Sequence, residues 1–585
     1  MIAEPFEDSR RLTGCNVYFQ GPGAALETAR GLPFDDASLA RWRGNVDIAR
    51  AWLGWPAGET CVRRHASGAS LAFAAPMDQL YTATELGEWA WWSVIETHAE
   101  PYHAPGHAAV WDADAALHTL RKLAHAEANP QLVALQAAAR ARGLPLLADD
   151  EELTIGSGAG GRSWFAEALP PVDTVPWDAL HAIPTALVTG SNGKTTTVRL
   201  LAAMCRAHGW QTAHSCTDGV FFDGRELEAG DYSGPAGART ALRQTGAQAA
   251  VLETARGGIL RRGLALCQAD AAIVTNISAD HFGEYGVHGL DDLARVKLTV
   301  ARAVGADGLL VLNADDPLLQ QHAARLSCRI GWFAIDFDHP LLAGHRAGGG
   351  TTCGTRAGRL LLDVGDGPTD DLGAIEAMPL TLAGRATYNI GNIAAAALAA
   401  TALGVAPATI RATVARFGAT RSDNPGRLQH WRFGHMEVYL DYAHNPDGLQ
   451  GLFEAVGAGQ RPKRLAVLLG HAGNREDADL RAVASATAAT RPELVVLKDI
   501  AGYERGRAAG EIAGVMRGQL LADGISETAI VTCLDEAHAI RQMLAWAREG
   551  DLVVLPVHDP EARVQAVELL ERMQVVGWAP GHSLP

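Results

Sequence analysis

Lysine is nearly missing from this chain. Of 50 basic residues only five are lysines: Lys122, Lys194, Lys297, Lys463 and Lys498. A coding bias that swaps surface lysine for arginine explains the general shortage. Each lysine that remains is then a candidate for chemistry that arginine cannot copy. Long apolar runs are missing too: nothing approaches the roughly 18 residues of a membrane helix. The first residues, MIAEPFEDSRR, are acidic and polar, unlike a signal peptide. The eight cysteines occur singly, with neither CxxC nor zinc spacing, and so read as reduced, mostly structural thiols. These absences predict a cytoplasmic protein with no membrane span. There is no basic excess either. A formal net charge of −16 argues against general nucleic-acid binding. It is compatible with a cationic substrate, and equally with solubility alone.

What is present is an ordinary globular composition, 48% hydrophobic and 20% charged over 585 residues, enough for three or four domains. Residues 1 to about 180 hold nine of the 14 tryptophans and a helix-like, alanine-rich stretch near 113–142. The aromatic cluster reads as core rather than as a ligand site. A loop-like segment at 149–164, then Pro170, Pro171 and Pro176, marks a boundary. From 183 the pattern alternates. Strand candidates at 185–189, 249–253, 271–276 and 308–313 are separated by helical stretches, which implies a mostly parallel sheet covered on both faces. Glu253, Asn276 and Asn313 stand at strand C-terminal ends, the edge where open α/β sheets bind ligands. Residues 343–374 look like an inserted hairpin or loop. A second series begins near 436 and continues through 464–469, 494–498, 529–532 and 551–556. The expected fold class is α/β throughout. A P-loop central domain with a parallel sheet spans 181–424 and a Rossmann-like α/β domain spans 425–585, behind a distinct N-terminal α+β domain over 1–180.

The stretch TALVTGSNGKTTTVRLL, 185–201, carries the first chemistry. Strand, glycine loop and helix start form a cradle for a polyphosphate. Backbone N–H groups and the helix N-terminus point at the anion, Lys194 reaches the terminal phosphates, and Thr195 can ligate Mg²⁺. Gly190, Asn192, Gly193 and Thr196 complete the loop; two residues rather than four separate Gly190 from Gly193. Further motifs follow in order. VLETARGGILRRG places Glu253 where a carboxylate can complete Mg²⁺ coordination with Thr195. NISADHFGEYG places Asp280 and His281 beyond the next strand, and Lys297 lies on the helix after that. LNADDP (312–317), YNIGN (388–392), PGRLQ (425–429) and LDYAHNPDG (440–448) complete the series. Taken singly, His281 could be a structural histidine, Lys297 a solvated helix lysine and DYAH a strand-end turn. Their order makes that reading hard to keep.

Together TGSNGKTTT, Glu253, SADHFG, Lys297, NADDP, NIGN, PGR and DYAHNPDG resemble the Mur ligase superfamily of ATP-dependent amide ligases, over about 183–585. VLETARGGILRRG and EAGDYSGPAGA (228–238) are most similar to the Mur-ligase part of cyanophycin synthetase. RRLTGCNVY near the N-terminus resembles that family's leading domain more weakly, and the first 180 residues leave no room for the family's ATP-grasp domain. The resemblance implies a mechanism. A γ-phosphoryl group activates an acid as an acyl phosphate, which an amine then attacks. It implies that Lys194, with Mg²⁺ at Thr195 and Glu253, neutralises phosphates. Arg427 would reach the γ-phosphate, Asp441 would hold the nucleotide from the C-terminal side, and Asn389, with Asn392, would contact adenine. A second Mg²⁺ would take His281 and a Lys297 carbamylated by CO₂, which arginine could not become. Asn313 and Asp316 could serve the site or only the turn. Thr217 and Asp218 could approach the acid, and Asp477 or Glu504 could pair with the guanidinium of an arginine amine. Amino-acid or short-peptide substrates are expected, an aspartyl acid and arginine first; the alternatives are a ligase of the same mechanism acting in folate polyglutamylation or on a cell-wall precursor, or a catalytically silent nucleotide-binding homologue. Residues 1–180 would hold the acid or mediate homo-oligomerisation.

Overall fold

A computed structural model describes residues 5–95, 113–280, 282–365, 367–458 and 464–585. The expected α/β class holds. An 11-stranded sheet organises the centre. Its strand Thr185–Thr189, inside the sheet, runs parallel between Ala249–Glu253 and Ala269–Val274. All five residues of Thr185–Thr189 are buried, as in a strand covered on both faces, which explains the continuous apolar run in place of alternation. Thr212–Cys216 lies beyond one neighbour, and Val304–Asn313, Ile330–Asp336 and Thr352–Arg356 extend the other side, all parallel. The hairpin expected in 343–374 is formed by Thr352–Arg356 and Arg359–Asp363. It continues the main sheet rather than standing apart from it.

Parallel order brings the C-terminal strand ends to one edge, and one helix seals the layer below it. Thr387–Ala402 is rich in alanine, a strong helix former without bulk, and Ala394 to Ala400 are fully buried. The small side chains let this helix lie close against both the sheet and the helix Lys194–His208. The C-terminal domain carries a six-stranded sheet. In it Met436–Asp441, Leu552–Pro556, Leu465–Leu469, Leu494–Leu497 and Ile530–Thr532 are parallel neighbours, each within a residue or two of the sequence expectation.

The N-terminal domain packs the helices Asp36–Leu53, Leu80–Trp92 and Ala113–Glu127 on a four-stranded antiparallel sheet. Trp42, Trp55, Trp89 and Trp91 are buried there, so the aromatic cluster is core. Two arginines dock this domain on the centre. Arg10 Nε donates to Leu260 O (2.8 Å), and Arg63 donates to the carbonyls of Tyr285 and Gly286. One expectation fails. Cys15 and Cys267 form a disulfide, Cα atoms 5.6 Å apart, between the same two domains, so these two are not separate reduced thiols. Their separation of 252 residues is outside any local spacing rule. Among the described residues no helix is long and apolar enough to cross a membrane.

Candidate active site

A cavity of about 610 Å³ opens at the strand-end edge between the central and C-terminal domains, a size suited to a nucleotide. Its floor is the loop after Thr185–Thr189. Gly190 has φ +144° and a Cβ there would lie 1.8 Å from Thr275 Oγ1; Gly193 has φ +84° and a Cβ would lie 2.2 Å from Asn392 Oδ1. Both positions therefore require glycine. Lys194 opens the helix, its Nζ donating to Ser191 O (3.1 Å), so that the first-turn amides and this ammonium face one space.

Glu253, at the end of its strand, is 1% exposed. Thr195 Oγ1 donates to its Oε2 at 2.9 Å, and Thr217 donates to it from both N (3.2 Å) and Oγ1 (2.8 Å). Among the described residues no cation pairs with this buried carboxylate. A buried carboxylate beside a threonine hydroxyl at a phosphate loop is a hard-oxygen donor set that fits Mg²⁺, with phosphate and water oxygens completing it. Among the described residues no three His, Cys, Asp or Glu side chains converge as a protein-only metal cage.

Lys297, at the end of the helix Leu290–Lys297, reaches the same loop. It is 2% exposed and its Nζ donates to Gly190 O at 2.8 Å. Burial, then the nearby Lys194, push its amine well below the ordinary lysine range. His281 lies outside the described residues. Asp280 beside it stands 3.8 Å from His444 Nε2 and 4.0 Å from Arg475 Nη2.

The C-terminal side closes over the loop. Asn445 Nδ2 donates to Asn192 Oδ1 (3.0 Å), while Asn192 N donates to Asn276 Oδ1 (3.0 Å). Thr196 Oγ1 accepts from Asn424 Nδ2 at 3.1 Å. Arg427 Nη2 is 3.5 Å from Thr195 Oγ1, and its guanidinium lies over Tyr442 at 4.4 Å. Asp441 accepts from the amides of Leu428 (2.7 Å) and Ala443 (2.8 Å). Burial raises its pKa, with Arg427 pulling the other way.

Other expected residues are present but already engaged. Asn389 gives its amide to Leu380 O (2.9 Å) and accepts from Asn392 (3.0 Å), at the cavity wall. Asn313 bonds Thr275 O, and Asp316 caps the helix Pro317–Ala323 while accepting from Ile277 N. Their turn role is therefore real, although both line the cavity. Asp218 faces three arginines rather than open space. Asp477 pairs with Arg507 and Arg481, and Glu504 Oε1 accepts from the amide of Gly502. Sequence reasoning missed Arg199, which stood unremarked inside the quoted 185–201 stretch, and Arg563, which no quoted motif contains. It also missed Asn445, which the quoted DYAHNPDG contained.

The fold and the loop define a P-loop α/β protein with a two-domain nucleotide cleft. Residues 188–400 match the Mur ligase middle domain and residues 426–556 match the Mur ligase, glutamate ligase domain; together these cover more than half of the chain, which belongs to the Mur ligase family. The chain is 35% identical over 406 residues to a cyanophycin synthetase of Crocosphaera subtropica, a match covering 69% of this chain and 46% of that protein. It thus spans less than half the length of the cyanophycin synthetases it matches. It is also 29% identical over 408 residues to a UDP-N-acetylmuramoyl-L-alanyl-D-glutamate--2,6-diaminopimelate ligase of Xanthomonas campestris, covering 67% of this chain and 76% of that one. A solved pseudomurein peptide ligase type C from Methanothermus fervidus aligns with 18% identity and a TM-score of 0.45, over 67% of this chain and 79% of that chain.

Proposed function

We propose that this chain is an ATP-dependent, ADP-forming amide ligase. It phosphorylates an aspartyl carboxylate and passes the acyl group to an amine, arginine first, in cyanophycin-type peptide or primer synthesis in the cytoplasm. The observation that carries the reading is the convergence of Lys194, Thr195 and Glu253 with Arg427 and Asp441 on one cavity. The likeness to cyanophycin synthetases supports the substrate class.

A carboxylate is a poor acyl donor because oxide is a poor leaving group, and phosphorylation replaces oxide with phosphate. Catalysis then rests on positioning and charge neutralisation. Lys194 and the helix N-terminus would hold the β- and γ-phosphates, Arg427 would meet charge developing on the γ-phosphate, and Asp441 would hold the nucleotide from the other domain. Asn389 forms the adenine side of the cavity in this reading. Two Mg²⁺ ions are implied, one at Thr195 and Glu253 and one at His281 and carbamylated Lys297, and when bound they supply positive charge to the phosphates and the acid. The buried, down-shifted amine of Lys297 is the form that adds to CO₂, releasing one proton as the carbamate forms.

The test is ADP release from ATP with an aspartyl peptide over a panel of amines. Stimulation by arginine supports the reading. Stimulation by diaminopimelate with a cell-wall precursor would favour the second reading, which the match covering 76% of the diaminopimelate ligase keeps open. No stimulation by any amine would leave a catalytically silent nucleotide-binding homologue.

A further inference from the structure

Asp218 is the only carboxylate within 3.5 Å of the guanidiniums of three arginines among the described residues, and those arginines come from three separate parts of the chain. It occupies the turn between Thr212–Cys216 and Gly219–Phe222, one residue after the threonine that holds Glu253. Arg199 Nη2 lies 2.9 Å from its Oδ2 and Arg427 Nη2 3.5 Å from the same atom; Arg563 Nη1 lies 2.7 Å from its Oδ1. Arg199 belongs to the phosphate-loop helix, Arg427 to the interdomain linker, and Arg563 to the first turn of the C-terminal helix Pro560–Val575. All four side chains are largely buried, Asp218 at 8% exposure and Arg563 at 18%.

The linker is threaded through this cluster. Arg199 Nη1 donates to Pro425 O (2.8 Å), and Gly426, at φ +70°, lies flat against Arg563, where a Cβ would come 2.9 Å from Arg563 Cδ. Three buried cations repel one another, and the carboxylate they share keeps them together. Their contacts are unequal. Arg199 and Arg563 make short bonds, whereas Arg427 sits 3.5 Å from both Asp218 and Thr195 Oγ1, midway between the carboxylate and the metal-binding threonine.

We propose that Asp218 and Arg563 are positioning residues for Arg427. Asp218 aims Arg427 from the central domain. Arg563, delivered by the C-terminal domain, supplies the countercharge that lets Arg427 leave Asp218 for the terminal phosphate. The inference rests on the ligase reading only in taking Arg427 as the partner of that phosphate.

The experiment compares the affinities of full-length protein for a fluorescent non-hydrolysable ATP analogue and for fluorescent ADP, both with Mg²⁺. No acid or amine is needed. Arg427→Ala should remove the preference for the triphosphate. Asp218→Asn and Arg563→Gln should each cut that preference about tenfold, the scale of one charge-assisted hydrogen bond, while ADP affinity stays near wild type. Arg563→Lys should restore most of it. In the Arg427→Ala background neither substitution should cost anything further, because both act through Arg427. The inference is overturned if Asp218→Asn and Arg563→Gln keep the wild-type preference, or if their losses persist in full without Arg427. Should Asp218→Asn fail to fold, Arg563→Gln decides by the same two criteria. A wild type that binds neither nucleotide would instead overturn the ligase reading; one that binds both equally would remove the role of Arg427 and this inference with it.

Discussion

Lys194 and Lys297 both bond one glycine loop, at the carbonyls of Ser191 (3.1 Å) and Gly190 (2.8 Å). Their surroundings separate their chemistry: Lys194 faces the cavity, whereas Lys297 is buried with a cation nearby. Lys297→Ala is expected to lose at least about 100-fold in turnover, the scale of one strong electrostatic contribution at a reacting phosphate. Lys297→Arg should fail equally, and Lys297→Ser should recover partly with small carboxylates. Wild-type turnover in Lys297→Arg would contradict a carbamate. Lys498 is a third lysine with a place of its own. Fully buried, its Nζ donates to Glu536 (2.5 Å) and to His558 Nδ1 (2.9 Å), and His558 Nε2 donates in turn to Ala443 O (3.1 Å). Lys498→Met should cost about 3–5 kcal/mol in a urea melt, because it strands the Glu536 carboxylate. The double variant Lys498→Met/Glu536→Leu should recover much of that, and a cost under about 1 kcal/mol for the single variant would show the pair to be idle.

At the scale of elements, strands were the most legible part of the sequence. Ala249–Glu253 and Leu465–Leu469 read directly because both faces are covered and the runs are apolar without interruption. The edge hairpin gave a weaker signal. Its strands Thr352–Arg356 and Arg359–Asp363 are short and end in charge, and they join the main sheet only through the pairing of Thr352–Arg356 with Ile330–Asp336. The phosphate loop, Glu253, Arg427 and Asp441 were legible as motifs. Arg199 and Arg563 were not, since an arginine on a helix has no local mark that it ends on a distant aspartate. Asn445 does two jobs at an element boundary. Its Oδ1 caps the helix Pro446–Val456 by accepting from Gly448 N, and its Nδ2 reaches Asn192 in the phosphate loop. Asn445→Asp keeps the cap but loses that donor. The expected result is an unchanged melting temperature with the KM for ATP raised severalfold; a lowered melting temperature at unchanged KM would assign Asn445 to the cap alone.

Across the described residues, His214 and His471 are buried and His558 is half-buried, and their surroundings hold all three toward the neutral form. Burial, then Arg206, pushes His214 from the ordinary 6.5 to about 3; burial, then Arg475, does the same to His471. His558 is pushed well below 6.5 by burial, then Lys498. A folded pKa below the unfolded one means that the unfolded chain binds more protons as pH falls. The stability these groups confer is complete above pH 6.5 and is lost toward pH 3. Each contributes at most about 1.4 kcal/mol per pH unit in that window. Urea midpoints between pH 7 and 4 should therefore fall with decreasing pH, and His214→Gln should flatten the slope; a flat wild-type profile would contradict neutral burial.

The central claim is that a carboxylate is activated by phosphorylation inside the cavity shared by Lys194, Glu253 and Arg427. Incubating the protein with ATP, arginine and an aspartyl peptide labelled with ¹⁸O in its side-chain carboxylate tests it directly by mass spectrometry. The account predicts one carboxylate oxygen transferred to each phosphate released, matched by one amide formed and one ADP. Amide formation with unlabelled phosphate, or label remaining wholly in the peptide while ATP is consumed, would contradict it.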